Sequence, residues 1–129
     1  MCLSTAAVSI ELVEFDQFTV VLLLTPPGAP VLEDQEADAL QDAHLNYLAT
    51  LHEKGPLLAA GPLPGQPGRR FRGMNIFGTE PDEARSLAEQ DPAVQAGQFE
   101  LEILPWVVPA GAVRFEPASF PHSAAEAGA

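Results

Sequence analysis

The chain has 129 residues and a mass of 13.7 kDa, the size of one ordinary domain and too little for two. With 47% hydrophobic residues, it carries enough apolar material to bury roughly two-thirds of its unfolded surface without metal or disulfide staples. Eighteen acidic residues against six basic ones give a formal charge of -12 and a pI near 4.3. Such a charge repels phosphate backbones and anionic lipid, so neither nucleic acid nor a membrane is an expected partner.

Cys2 is the one cysteine, which leaves no intramolecular disulfide and no thiolate zinc site. No Lys or Arg precedes Lys54, so the basic segment of a secretory or mitochondrial leader is missing and a cytoplasmic location is expected. The longest apolar run, Phe18 to Leu24, is far shorter than the ~20 residues of a membrane helix and reads as a strand.

In residues 1–17, Val8, Ile10 and Leu12 alternate with Ser9, Glu11 and Val13, the pattern of a short, half-buried extra strand. The β-branched and aliphatic run Phe18 to Thr25 predicts the first core strand, closed by Pro26-Pro27-Gly28, which cannot continue a ladder. From Asp34 to Lys54 the period becomes helical, with Ala37, Leu40, His44, Tyr47, Leu48 and Leu51 on one stripe. Acidic residues open this helix, Lys54 closes it, and Gly55-Pro56 stops it.

A strand is expected at Leu57–Pro62, a connecting loop at Leu63–Arg70, and another strand at Arg72–Thr79. Thr79 or Glu80 can cap a helix over about 80–90, with Pro81 in its first turn and Ala84, Leu87 and Ala88 facing inward. Asp91-Pro92 to Gly97 spells one further helical turn with an Asp cap, and Phe99, Leu101 and Ile103 begin a strand that runs to about Val107. Residues 108–129 form an extension rich in Pro, Ala and Ser, with a small strand expected at Ala112–Phe115 and disorder over the last ten residues.

The order β-α-β-β-α-β matches the ferredoxin-like plan, an α+β sandwich with helices on one face of an antiparallel sheet. Val20, Leu22 and Leu24 alternate with Val21 and Leu23, so the first strand is apolar on both sides and the face without helices needs its own cover. A second copy of the chain is the simplest cover, and the end extensions are the competing one. Glu100 and Glu102 fit that arrangement only at the rim of the sheet or facing solvent.

His44 sits mid-stripe among Leu and Tyr neighbours, either as a core histidine bonded to a backbone carbonyl or as a partly buried imidazole for proton transfer near neutrality. Asp91 before Pro92 is an ordinary helix cap, yet its second carboxylate oxygen can accept a histidine ring N–H and fix the tautomer. His52 and His122 share no metal-ligand spacing with His44, and no glycine-rich phosphate loop is present. No metal or other cofactor is therefore expected. Trp106 beside Pro105 reads as packing.

The stretch His44-Leu45-x-x-Leu48-x-x-Leu51-x-x-x-Gly55-x-Leu57-Leu58-x-Ala60-Gly61-Pro62, followed by Asp91-Pro92-x-Val94-x-Ala96-Gly97, resembles the YciI-like (YCII-related) family over about residues 18–107. The resemblance implies a ferredoxin-like unit paired into a dimeric α+β barrel, with His44 and Asp91 at the positions of that family's proposed acid/base pair. It also implies proton abstraction or elimination on a small oxygenated ring, since dehydrochlorination of a chlorinated hydroxyquinol is the best-understood reaction there. The end extensions depart from the family core.

Arg69, Arg70 and Arg72 place three of the six basic residues in one loop. They could orient an anionic substrate through bidentate pairing, or simply answer acidic neighbours. The sequence thus favours a homodimeric acid/base enzyme acting on a small molecule by proton abstraction, elimination or hydrolysis. Its rival is a non-catalytic ligand-binding or assembly module in which His44 and Asp91 form a structural bond.

Overall fold

The computed structural model describes residues 12–65 and 70–128. The expected strand at Val8 to Leu12 falls almost wholly outside them. Strand β1 spans Phe15–Leu24, helix α1 Asp34–Lys54, β2 Leu57–Pro62, β3 Phe71–Phe77, α2 Pro81–Glu89, the single turn α3 Pro92–Gln95, and β4 Glu100–Pro109. The strands form one sheet in the order β2-β3-β1-β4, and each adjacent pair is antiparallel. This is the ferredoxin-like α+β arrangement that the order of elements required.

Local chemistry sets the ends of the elements. Glu36 Oε1 accepts the Glu33 backbone N–H at 3.3 Å, and Asp34 and Glu36 lie in the first turn of α1, where negative charge meets the positive end of the helix dipole. Gly55 follows Lys54 at φ 112°, and its N–H reaches back to the carbonyls of Leu51 and His52. A side chain would be strained in that conformation, so the glycine fixes where α1 turns into β2.

The helix-facing side of the sheet carries Thr19 and Val21 of β1 beside Phe77 and Asn75 of β3. Val21, Leu57, Phe77 and Ala84 are fully buried there, with Leu48, Leu51 and Ala88 in the same cluster. Ala84 and Ala88 are small enough to bring α2 close to the sheet. Along α1, burial begins only at His44 and includes Ala49. Ala37, expected on the inner stripe, is exposed because the first turns of the helix make no buried contact.

The opposite face pairs Phe18 with Trp106, Val20 with Leu104 and Ile76, and Leu22 with Met74 and Glu102. Val20, Met74, Ile76, Leu104 and Trp106 border a shallow apolar depression there. Both glutamates lie on β4, which is an edge strand, and Arg70 meets Glu100 at 3.0 Å. Glu102, on the same strand, is exposed.

The C-terminal extension departs from expectation twice. Ala112–Phe115 is no strand, because the chain turns at Ala110-Gly111 and leaves the ladder. Phe115 instead meets the Phe18 ring edge-on, with centroids 5.2 Å apart. Nor are residues 120–128 left free. Phe120 stacks on His52 at 4.0 Å, His122 bonds through its two ring nitrogens to Asn46 and Glu53, and the Ala124 N–H donates to Asp42 at 2.9 Å. The segment is tethered along α1 by partners distant in sequence.

Candidate active site

Helix α1 carries His44 inward onto the sheet, and the tight connection between α2 and α3 brings Asp91 to meet it. His44 Nδ1 and Asp91 Oδ2 are 2.7 Å apart. The other carboxylate oxygen of Asp91, Oδ1, accepts the Ala93 N–H at 2.9 Å and caps α3. One side chain thus performs both tasks that its two oxygens allow. His44 is 8% exposed and Asp91 2%, so both bonds lie away from bulk water.

An ionised carboxylate only accepts, so Nδ1 carries the proton in the neutral ring and Nε2 keeps the lone pair. Phe99 flanks the imidazole with its centroid 5.5 Å away. Tyr47, one turn along α1, donates its hydroxyl to the Leu87 carbonyl at 2.7 Å. Burial first, and the negative charge of Asp91 second, push its phenol above the ordinary value. Tyr47 therefore stays neutral and pins α1 to α2 behind the pair.

His44 forms part of the wall of a cavity of about 650 Å³, within the size range of small-molecule sites. Gln41, Leu45 and Leu48 of α1 stand beside it, and Leu23, Gly73 and Asn75 form the sheet side. At Gly73 a Cβ would lie 3.2 Å from the Gly61 carbonyl oxygen and 3.3 Å from Leu23. A side chain there would have to push these neighbours back by a few tenths of an ångström, so the glycine eases the close approach of β2 and β3 at the cavity floor. Ala118, Ser119, Phe120, Pro121, Ala124 and Ala127 of the C-terminal extension complete the enclosure. His52 anchors this wall: its Nδ1–H donates to the Leu57 carbonyl, and its Nε2 accepts the Ala118 N–H at 3.0 Å.

The three loop arginines separate. Arg69 lies outside the described residues. Arg70 is held by Glu100 at the exposed sheet edge and is absent from the cavity wall, so it answers an acidic neighbour. Arg72 does border the cavity, with its guanidinium 5.9 Å from the Phe99 ring centroid and a 3.4 Å hydrogen bond to Thr25. Among the described residues no group of three or more His, Cys, Asp or Glu side chains could hold a metal ion, and no helix is long and apolar enough to cross a membrane.

Asn75, Phe99 and the extension from Ala118 onward are site components that the sequence reading missed. A polar residue between Met74 and Ile76 gave one usable signal for Asn75. The tail gave none, since Pro/Ala/Ser composition is what disordered ends also show.

Fold and site together define a ferredoxin-like α+β domain with a buried His–Asp pair beside a small-molecule cavity. Residues 19–107 match the YCII-related domain, and the chain belongs to that family. The wall built from Ala118 to Ala127 lies beyond the matched span. Among solved structures, the chain is similar to 5-chloro-2-hydroxyhydroquinone dehydrochlorinase from Burkholderia phenoliruptrix AC1100, in complex with 2,5-dihydroxybenzoquinone. That match has 26% identity and a TM-score of 0.51, covering 69% of this chain and 92% of the other. No curated protein matches the sequence.

Proposed function

We propose that this chain is an enzyme in which His44 moves a proton on a small hydroxylated ring while Asp91 orients the imidazole and stabilises its cation. The observation that carries the reading is the 2.7 Å His44–Asp91 bond formed at the wall of a cavity. With Nδ1 committed to Asp91, Nε2 is the nitrogen available to substrate. Arg72 at the same wall adds a guanidinium suited to an anionic oxygen, and the apolar remainder suits a flat ring.

Taking a proton from carbon or oxygen leaves an electron pair on the substrate. If that pair expels an anionic group together with its bonding electrons, the outcome is elimination; if a proton returns at another atom, it is tautomerisation. If the base acts on water instead, the outcome is hydrolysis. The similar dehydrochlorinase, whose bound ligand is a dihydroxyquinone, favours elimination on a hydroxylated ring. The reading also includes a homodimer, supported by the apolar sheet face around Val20, Met74, Ile76 and Leu104.

One observation favours a structural alternative: Asp91 is 2% exposed and already caps α3, as a residue held for the fold would be. Turnover separates the two. Chloride release from 5-chloro-2-hydroxyhydroquinone is the first assay, followed by a panel of hydroxylated arenes. His44→Gln keeps a donor toward Asp91 but offers no base, so it should lose about 10²–10⁴-fold in kcat with a melting temperature near that of the parent. Full turnover by this variant would exclude His44 as the base, and a large loss of stability without loss of turnover would favour the structural role.

A further inference from the structure

Two buried polar side-chain atoms have no hydrogen-bond partner among the described residues, Asn75 Oδ1 and Thr79 Oγ1. Of their two side chains, Asn75 alone borders the cavity that His44 also lines. Asn75 is 2% exposed and stands in the middle of the sheet, opposite Val21 on β1 and Ala60 on β2. Around it the helix-facing side is apolar, with Leu23, Leu48 and Ala60 among the cavity residues. A buried acceptor in such a setting is costly and uncommon unless something donates to it.

We infer that Asn75 is a substrate-binding residue whose amide oxygen accepts a hydrogen bond from a ring hydroxyl of the ligand. This rests on the cavity beside His44 being the active site, and it adds a requirement that the His–Asp pair alone does not impose. His44 takes a proton away, whereas Asn75 needs a hydroxyl that keeps its proton. Where the proton that His44 takes is itself a hydroxyl proton, the two groups together select a ring with at least two oxygen substituents, one of them a protonated hydroxyl in the reacting form. A singly hydroxylated ring then satisfies one group and leaves the other unmatched. Sites built to bond a hydroxyl reject analogues lacking it more strongly than apolar pockets reject a change of size.

The test is a comparison of ligands across variants. Binding of 1,2,4-trihydroxybenzene, kept under argon, and of its three monomethyl ethers is titrated by NMR against the full-length chain, Asn75→Leu and Asn75→Ala. In the parent, one ether should bind roughly 10–100-fold more weakly than the triol, because methylation removes the O–H that Asn75 accepts. In both variants that position-specific preference should collapse to within a few-fold. Asn75→Leu, which keeps the branched shape of Asn and removes the unpaired acceptor, should also melt higher than the parent.

If the variants keep the parent's preference among the ethers, or if Asn75→Leu melts lower while the preference persists, Asn75 is structural and the inference is overturned, with the role of His44 untouched. If the parent binds the triol but shows no preference among the ethers, the inference is likewise overturned. If the parent binds none of the four compounds, the inference falls together with the reading of the cavity as a site for hydroxylated rings.

Discussion

Replacing Asp91 by Asn changes one terminal atom and should reverse the chemistry of His44. The Asn carbonyl oxygen can still accept the Ala93 N–H that now lies 2.9 Å from Oδ1, so the cap of α3 survives. Its amide then faces His44 Nδ1, presently 2.7 Å from a carboxylate oxygen. A ring opposite a donor must accept, so the proton moves to Nε2 and the lone pair turns away from the substrate. In stability, a charge-assisted bond of about 1.5–3 kcal/mol is replaced by a neutral one of about 0.5–1.5 kcal/mol. The difference of about 1–1.5 kcal/mol corresponds to roughly 3–7 °C in melting temperature for a chain of this size.

Turnover should fall far more than stability. The loss should approach the ~10⁴-fold that a wrongly protonated histidine costs in the serine-protease triad, where the same carboxylate-to-amide change has been worked out. Asp91→Ser gives the complementary result: its hydroxyl can cap α3 but is too short to hold His44. Long-range ¹H–¹⁵N NMR reads the tautomer directly, at a pH where the ring is neutral, after His52 and His122 are assigned by substitution. An Asp91→Asn variant in which His44 remains protonated on Nδ1, or in which turnover is unchanged, would refute the reasoning.

Tyr47 is the chain's only tyrosine, so its phenolate absorbance can be titrated without interference, and its midpoint should lie above the ordinary value near 10. Because the folded state holds this proton more tightly than the unfolded chain, its contribution to stability is complete below about pH 10 and is lost as pH rises through the folded-state value. Tyr47→Phe should melt lower near neutrality, by about 0.5–1.5 kcal/mol for the lost bond to Leu87, and should show a shallower alkaline decline. A tyrosine that titrates at the ordinary value would contradict its placement. For the apolar face, Leu104→Glu, a substitution at a position now 40% exposed, should convert a dimer into a monomer in light scattering. A parent chain that is monomeric at micromolar concentration would dismiss that interface.

Where periodicity or caps sit within a few residues of each other, the sequence was readable. The β1 run ending at Pro26, the α1 stripe through His44, Leu48 and Leu51, and the Asp91-Pro92 cap are all local patterns, and each appears as an element or a cap. The family motif depends on the same positions, so His44 and Asp91 could be proposed as a pair although 47 residues separate them. Arg70 and Arg72 illustrate the limit. They lie two residues apart and share the same chemistry, yet one is spent on Glu100 and the other borders the cavity, a division decided by what each meets in the folded chain.

By itself, the sequence determined what depends on short-range backbone preference, namely the strands, the helices and their order, together with a strongly negative formal charge. Tertiary structure alone decided the cavity, the unmatched oxygen of Asn75 at its floor, and the docking of the last residues onto α1. Each of these joins groups far apart in the chain, as when Ala118 meets His52 across 66 positions. Such contacts depend on excluded volume and on which polar atoms remain unpaired after the core has packed. Those quantities belong to the assembled chain, and no window of residues contains them.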